Sequence, residues 1–166
     1  VSHPTQLSSG YSHVCAIEDS GLVCWGDAQS GQSTVPGVSA PLSVSAGLRH
    51  TCALYEGGVI CWGDNEWSQT NVPYLSSPRE ISSGDHHTCA IDDSGVVCWG
   101  TNWSNGRFFP PVGNPRKLAT GGSGTTCVLH DDGITCWAPA SQGGFYDVPD
   151  LAQPFDISLR NGGFCA

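Results

Sequence analysis

Cys15-Ala-Ile-Glu-Asp-Ser-Gly-Leu-Val-Cys24-Trp25 decides the fold, because the chain repeats this phrase four times. The other copies run from Cys52 to Cys61-Trp62, from Cys89 to Cys98-Trp99 and from Cys127 to Cys136-Trp137, with eight residues between the cysteines in each. The first cysteines advance by 37, 37 and 38 residues, and Cys165 follows Cys127 by 38, opening a fifth copy. A fixed period of this length marks a repeat architecture. Each unit of such an array buries its apolar faces against its neighbours, so function belongs to the array and its loops.

Working outward, a short alternating stretch that closes on glycine precedes each phrase: Gln6-Leu-Ser-Ser-Gly10, Leu42-Ser-Val-Ser-Ala-Gly47, Glu80-Ile-Ser-Ser-Gly84 and Lys117-Leu-Ala-Thr-Gly121. Alternation with period two, β-branched residues and Gly or Asp turns predict strands. Each repeat therefore reads as three antiparallel strands. A Pro-bearing connection follows, such as Thr34-Val-Pro36 or Asn71-Val-Pro73. No stripe of helical period is present.

Turn geometry bears on the cysteines. With Asp19-Ser20 as a two-residue hairpin loop, Glu18 faces Gly21 and Cys15 falls opposite Cys24 at a non-hydrogen-bonded site. Side chains there lie close enough for a disulfide. A three-residue loop with a bulge at Gly21 would instead shift the register by one. A second scheme, Cys24 with Cys52, Cys61 with Cys89, Cys98 with Cys127 and Cys136 with Cys165, bridges neighbouring repeats and strands Cys15. We expect pairing within each repeat, with Cys165 unpaired or joined to another chain.

Charged residues are 13% of the chain, against about a quarter in ordinary soluble domains. Nine cysteines in paired spacing point to an oxidising compartment. The 166 residues contain no methionine. We therefore expect that an initiator and a signal peptide have been removed, and that the protein is secreted or held at a cell surface. A formal charge of −9 with six Lys and Arg disfavours a nucleic-acid partner. No stretch approaches the roughly 20 apolar residues that span a bilayer.

His50-Thr-Cys-Ala-Leu54 with Gly58-Val-Ile-Cys-Trp-Gly63, and the matching phrases around Cys89 and Cys15, resemble the repeat of the regulator-of-chromosome-condensation family in its disulfide-containing extracellular form. The fourth copy departs from it, with Thr125 for the His and Ala138 for the Gly after Trp137. The resemblance implies an all-β fold of propeller-type blades, usually seven in a ring. Its members act as binding scaffolds, guanine-nucleotide exchange platforms, cell-surface modules and inhibitors of secreted enzymes. This chain supplies four and a half blades within a single repeat domain, 1–166: 5–36, 42–73, 79–111, 116–149 and a partial fifth, 154–166. Because a propeller protects its edges by closing a ring, three readings stand: a fragment of a longer propeller, blades completed by other chains, or an open stack docking end to end into a filament. We expect self-association.

Few residues carry chemistry. His13, His50 and His87 share one site, two residues before the first Cys of their repeats. Equal register sets them far apart in different blades, so each is expected to be a structural His bonded to a neighbouring backbone group rather than a metal ligand. Eight residues between cysteines is not zinc-finger spacing, and the acidic turns lack the spaced ligands of a calcium loop. No nucleophile elbow, phosphate loop or zinc-protease motif is present. We expect no enzyme, no metal and no cofactor. The Trp beside each second Cys is expected to pack between blades. The aromatics that break the repeat, Trp67, Trp103, Phe108, Phe109, Phe145 and Tyr146, fall in the variable loops and are the candidate binding residues. Asn102-Trp-Ser104 is an N-glycosylation sequon on one such loop. The expected partners are further copies of the chain or a secreted or cell-surface protein. A lectin-like role with Trp67 and Trp103 stacking on sugars, and inhibition of a secreted enzyme, are the alternatives.

Overall fold

Strand signals and turn glycines resolve into sheets arranged one per repeat. The computed structural model describes residues 3–101, 112–138, 145–146, 148, 154–160 and 163–165. The first sheet is β1 (Gln6–Ser9), β2 (His13–Glu18) and β3 (Gly21–Gly26), paired in that order and antiparallel. The second is β4 (Pro41–Ala46), β5 (His50–Tyr55) and β6 (Gly58–Gly63), and the third is β7 (Glu80–Ser83), β8 (His87–Asp92) and β9 (Gly95–Gly100). The fourth comprises β10 (Lys117–Thr120), β11 (Thr126–His130), β12 (Gly133–Trp137) and β13 (Phe145–Tyr146). A fifth, of two strands, pairs β14 (Ser158–Arg160) with β15 (Gly163–Cys165). These are four and a half propeller-type blades.

The hairpin register follows the two-residue loop: Glu18 pairs with Gly21 and Cys15 with Cys24. Gly21, Gly58 and Gly95 close these turns at φ +117, +122 and +113, with open space where a Cβ would stand. Backbone conformation, not crowding, demands glycine there. Facing cysteines are bonded within each repeat, Cys15–Cys24, Cys52–Cys61, Cys89–Cys98 and Cys127–Cys136, with Cα atoms 4.0–4.1 Å apart. By chain entropy each ten-residue loop contributes about 2.7 kcal/mol.

The fourth blade corrects the reading of three strands per repeat. β13 adds a strand on the outer edge of β12, with Cys136 opposite Tyr146 and Trp137 opposite Phe145. An aromatic pair suits a pleated edge, so these two candidate loop residues lie in a strand. The extra residue of this repeat is absorbed by a 3-10 turn, Gly122–Gly124.

The core lies between sheets. Cys15 and Ile17 meet Val44; Cys52 and Leu54 meet Ile81, Ala90 and Trp99. Cys89, Ile91 and Cys98 meet Leu118, Val128 and Trp137, and Cys127, Leu129 and Cys136 meet Ile157. Every disulfide thus lies on the face its blade turns to the next, and every joint has the same two sides.

Candidate binding surfaces

Alternation along the first sheet sends Cys15, Ile17, Leu22 and Cys24 to one face, and Leu7, Ser9, Val14, Val23 and Trp25 to the other. The registers Leu7 with Ala16, Ser9 with Val14 and Val14 with Trp25 bring this second set together. Positions equivalent to Leu7 are Val44, Ile81 and Leu118, exposed by 2%, 5% and 6%; Leu7 is 63% exposed. Trp99 and Trp137 are buried at 5% and 3%, whereas Trp25 is 45% exposed. The expectation that each repeated Trp packs between blades holds for Trp99 and Trp137 and fails for Trp25, because no sheet of the described chain covers that side.

At interior joints this covered face is also polar-bonded. His13 Nε2 lies 2.8 Å from Thr51 Oγ1, His50 Nε2 2.9 Å from Thr88 Oγ1 and His87 Nε2 3.1 Å from Thr126 Oγ1. Each imidazole therefore staples its blade to a side-chain hydroxyl of the next, which corrects the expectation of a backbone partner. Thr51 donates its one hydroxyl hydrogen to the Gln32 carbonyl at 2.8 Å. His13 must then donate through Nε2, leaving Nδ1 bare in the interior. Burial pulls the His50 imidazole down to about 3 and His87 to about 4, with neighbouring imidazoles adding to the effect. Burial also lowers His13, and the Asp27 carboxylate opposes it.

Sequence reasoning missed a second staple. Gln32 and Gln69 are fully buried in the loops after the first and second blades. The Gln32 side chain accepts from the Ser30 N–H at 2.9 Å and donates to Asp27 at 3.0 Å; Gln69 does the same with Trp67 and Asp64, at 2.8 and 3.0 Å. Their backbone carbonyls accept from the next blade's indoles, Trp62 and Trp99, both at 2.9 Å. The signal was available: Gly-Asp followed by Gln at the same offset, twice. The bond from the Gln29 backbone is the largest influence holding the Asp27 carboxyl below its usual range.

Trp67 projects from this second loop, 51% exposed, with its ring centroid 6.1 Å from that of His86 at a tilt of 53°. Trp103, Phe108, Phe109 and the Asn102 sequon lie outside the described residues, as do the side chains of Phe145, Tyr146 and Cys165. Among the described residues the structure therefore groups none of the other candidate aromatics with Trp67. It exposes aromatics that sequence reasoning passed over, Tyr11, Tyr74 and Phe155, at 80%, 92% and 90%.

A cleft of about 270 Å³ runs along the inner strand ends, past Gly10, Gly47, Gly84 and Gly121, with Tyr11 and Asp85 on its rim. A Cβ on Gly47 would run into the His50 ring and the Gly84 carbonyl, so glycine here permits close approach between blades. Among the described residues no cluster of His, Cys, Asp or Glu is arranged to hold a metal ion.

Residues 5–32, 42–66 and 79–107 match the model of the regulator of chromosome condensation (RCC1) repeat. No curated protein matches the chain in sequence. Among solved structures, the entire ectodomain of the Physcomitrella patens receptor kinase CR4 is similar, with TM-score 0.73 and 25% identity, over 96% of this chain and 46% of that one. The CRINKLY WD40 ectodomain of the Arabidopsis thaliana receptor kinase ACR4 is similar with TM-score 0.63 and 22% identity, over 82% and 50%. Prp20p from Saccharomyces cerevisiae, whose structure was reported with its binding to Gsp1p and histones, shares the fold with TM-score 0.70 and 16% identity, over 94% and 54%. The chain spans about half the length of each.

Proposed function

The chain belongs to the regulator-of-chromosome-condensation repeat family, and we propose that it is a secreted, non-enzymatic protein-binding module that assembles with further copies of itself. One observation carries this reading. The face bearing Leu7 and Trp25 is the same kind of surface that is buried at every interior joint, yet here it is exposed. A contiguous apolar face rimmed by polar residues is an interaction surface. Four disulfides suit an oxidising compartment, and the likeness to a receptor-kinase ectodomain supports placement outside the cell. The partner this face fits is another β-sheet with apolar and hydroxyl side chains, supplied by a protein.

Multi-angle light scattering over a concentration series tests the reading. Mass should rise with concentration in non-reducing buffer. A constant monomer mass at the highest soluble concentration overturns self-assembly.

Glycan binding is favoured by one observation, the half-exposed Trp67 ring. Binding on a glycan array that is lost in Trp67→Ala would establish it, and silence on the array would dismiss it.

A further inference from the structure

We infer that Trp67, with the carboxylates of Glu66 and Asp85 beside it, is a docking point for a cationic side chain carried by a protein partner. The site lies where the second and third blades meet, between two intact joints, and is separate from the self-association face proposed above.

Two equivalent places face each other at this end of successive joints. Ser30 and Trp67 correspond in the loops after the first and second blades, each with its N–H on the Gln side chain two residues on, at 2.9 and 2.8 Å. Arg49 and His86 correspond in the turns before β5 and β8. Their carbonyls accept the N–H of Asp64 and of Thr101, at 2.9 and 2.8 Å. The second joint thus carries two rings, 6.1 Å apart, where the first carries a serine and a guanidinium. The rings are an addition to the repeated scaffold and not part of it.

The loop holds Trp67 firmly while leaving it half exposed. Asn65 accepts the Thr70 N–H at 3.1 Å and donates to Asn71 at 3.0 Å. Gln69 is bonded at both ends of its amide, to Trp67 and Asp64. Ser68, next to the ring, takes φ +61, where the first loop has Gly31 at φ +79. A non-glycine residue in that region stores backbone strain, and such strain collects at ligand sites.

The groups left unbonded decide the ligand. The Asn65 and Gln69 amides are engaged within the loop, whereas the carboxylates of Glu66 and Asp85 have no hydrogen bond or ion pair among the described residues. Glu66 adjoins Trp67, and Asp85 adjoins His86 on the rim of the cleft. Arg49 belongs to the preceding joint, so among the described residues no Lys or Arg of the chain answers these two acids. Free amides would suit the neutral hydroxyls of a sugar. Free carboxylates beside an indole face suit a cation, which both attract. The formal charge of −9 draws in the same ligand.

The test is fluorescence anisotropy of a labelled peptide in which two arginines alternate with glycines, titrated with dilute protein at neutral pH and low salt. Trp67→Ala leaves the net charge unchanged and should weaken binding by roughly two- to thirtyfold. Glu66→Gln and Asp85→Asn should each weaken it by about two- to fivefold. Glu56→Gln removes the same charge from the β5–β6 turn, at the opposite end of the second blade, and should leave affinity unchanged. Circular dichroism and melting temperature confirm that each variant folds. Unchanged affinity in Trp67→Ala, or equal losses in Glu56→Gln and Glu66→Gln, overturns the site and leaves only the general attraction of an acidic protein. A peptide that does not bind overturns it outright. A neutral oligosaccharide whose binding is lost in Trp67→Ala, with peptide affinity untouched, gives the ring to glycans instead. Self-association is read from mass alone and stands or falls separately.

Discussion

The first and third blades share most of their strand residues and live in different surroundings. Leu7 and Ile81 occupy one position, as do Trp25 and Trp99, yet the third-blade residues are exposed by about 5% and their first-blade counterparts by 63% and 45%. The third blade is clasped on both faces: one accepts the imidazole of His50, and the other extends His87 to Thr126. The first blade is clasped on one face only. A repeat's residues therefore state what it can bind, and its place in the row decides whether that capacity is spent internally.

Acid should expose the difference most strongly. His50 and His87 are held at about 3 and about 4, below the 6.5 of an unfolded histidine. Below pH 6.5 the unfolded chain takes up protons that these residues refuse, so their stabilisation is complete above pH 6.5 and drains as pH falls toward 4. The slope approaches ~1.4 kcal/mol per pH unit for each residue. Urea unfolding from pH 7 to pH 4 should show this steep loss, and His50→Gln should flatten it. An unchanged slope in that variant would remove the staple from the account.

Next in size is loss of a disulfide. The double change Cys89→Ala and Cys98→Ala should cost roughly 2–5 kcal/mol, read as a drop in urea midpoint. Both sulfurs lie in a buried joint, so some of this loss is packing. Apolar truncation separates the two blades more sharply. Ile81→Ala should cost about 2–4 kcal/mol, while Leu7→Ala at dilute concentration should stay within about 0.5 kcal/mol. Equal costs would refute the comparison. Among changes at interior joints the hydroxyl comes last: Thr88→Val should cost roughly 1–3 kcal/mol by orphaning His50, whereas Val14→Thr should be nearly neutral in the monomer.

Strand order, hairpin register and disulfide pairing were legible because the period repeats each signal four times and a two-residue loop leaves one register open to it. The histidine staple was legible in position and not in partner, since Thr51 lies 38 residues beyond His13 and only stacking makes them neighbours. Gln32 and Gln69 hid in loops whose polar composition resembles any turn. The exposure of Leu7 could not be read at all. Its alternating context is that of Ile81, and burial depends on which sheet lies opposite.

Amide hydrogen exchange at two equivalent positions, Ser9 and Ser83, followed as protein concentration rises, separates an open face from a closed joint. The Ser83 N–H, bonded to Ser45, should be protected at every concentration, and the Ser9 N–H should exchange rapidly when dilute and slow as copies join. Rapid exchange at Ser9 at all concentrations, or protection at Ser9 in the dilute monomer, would contradict this contrast.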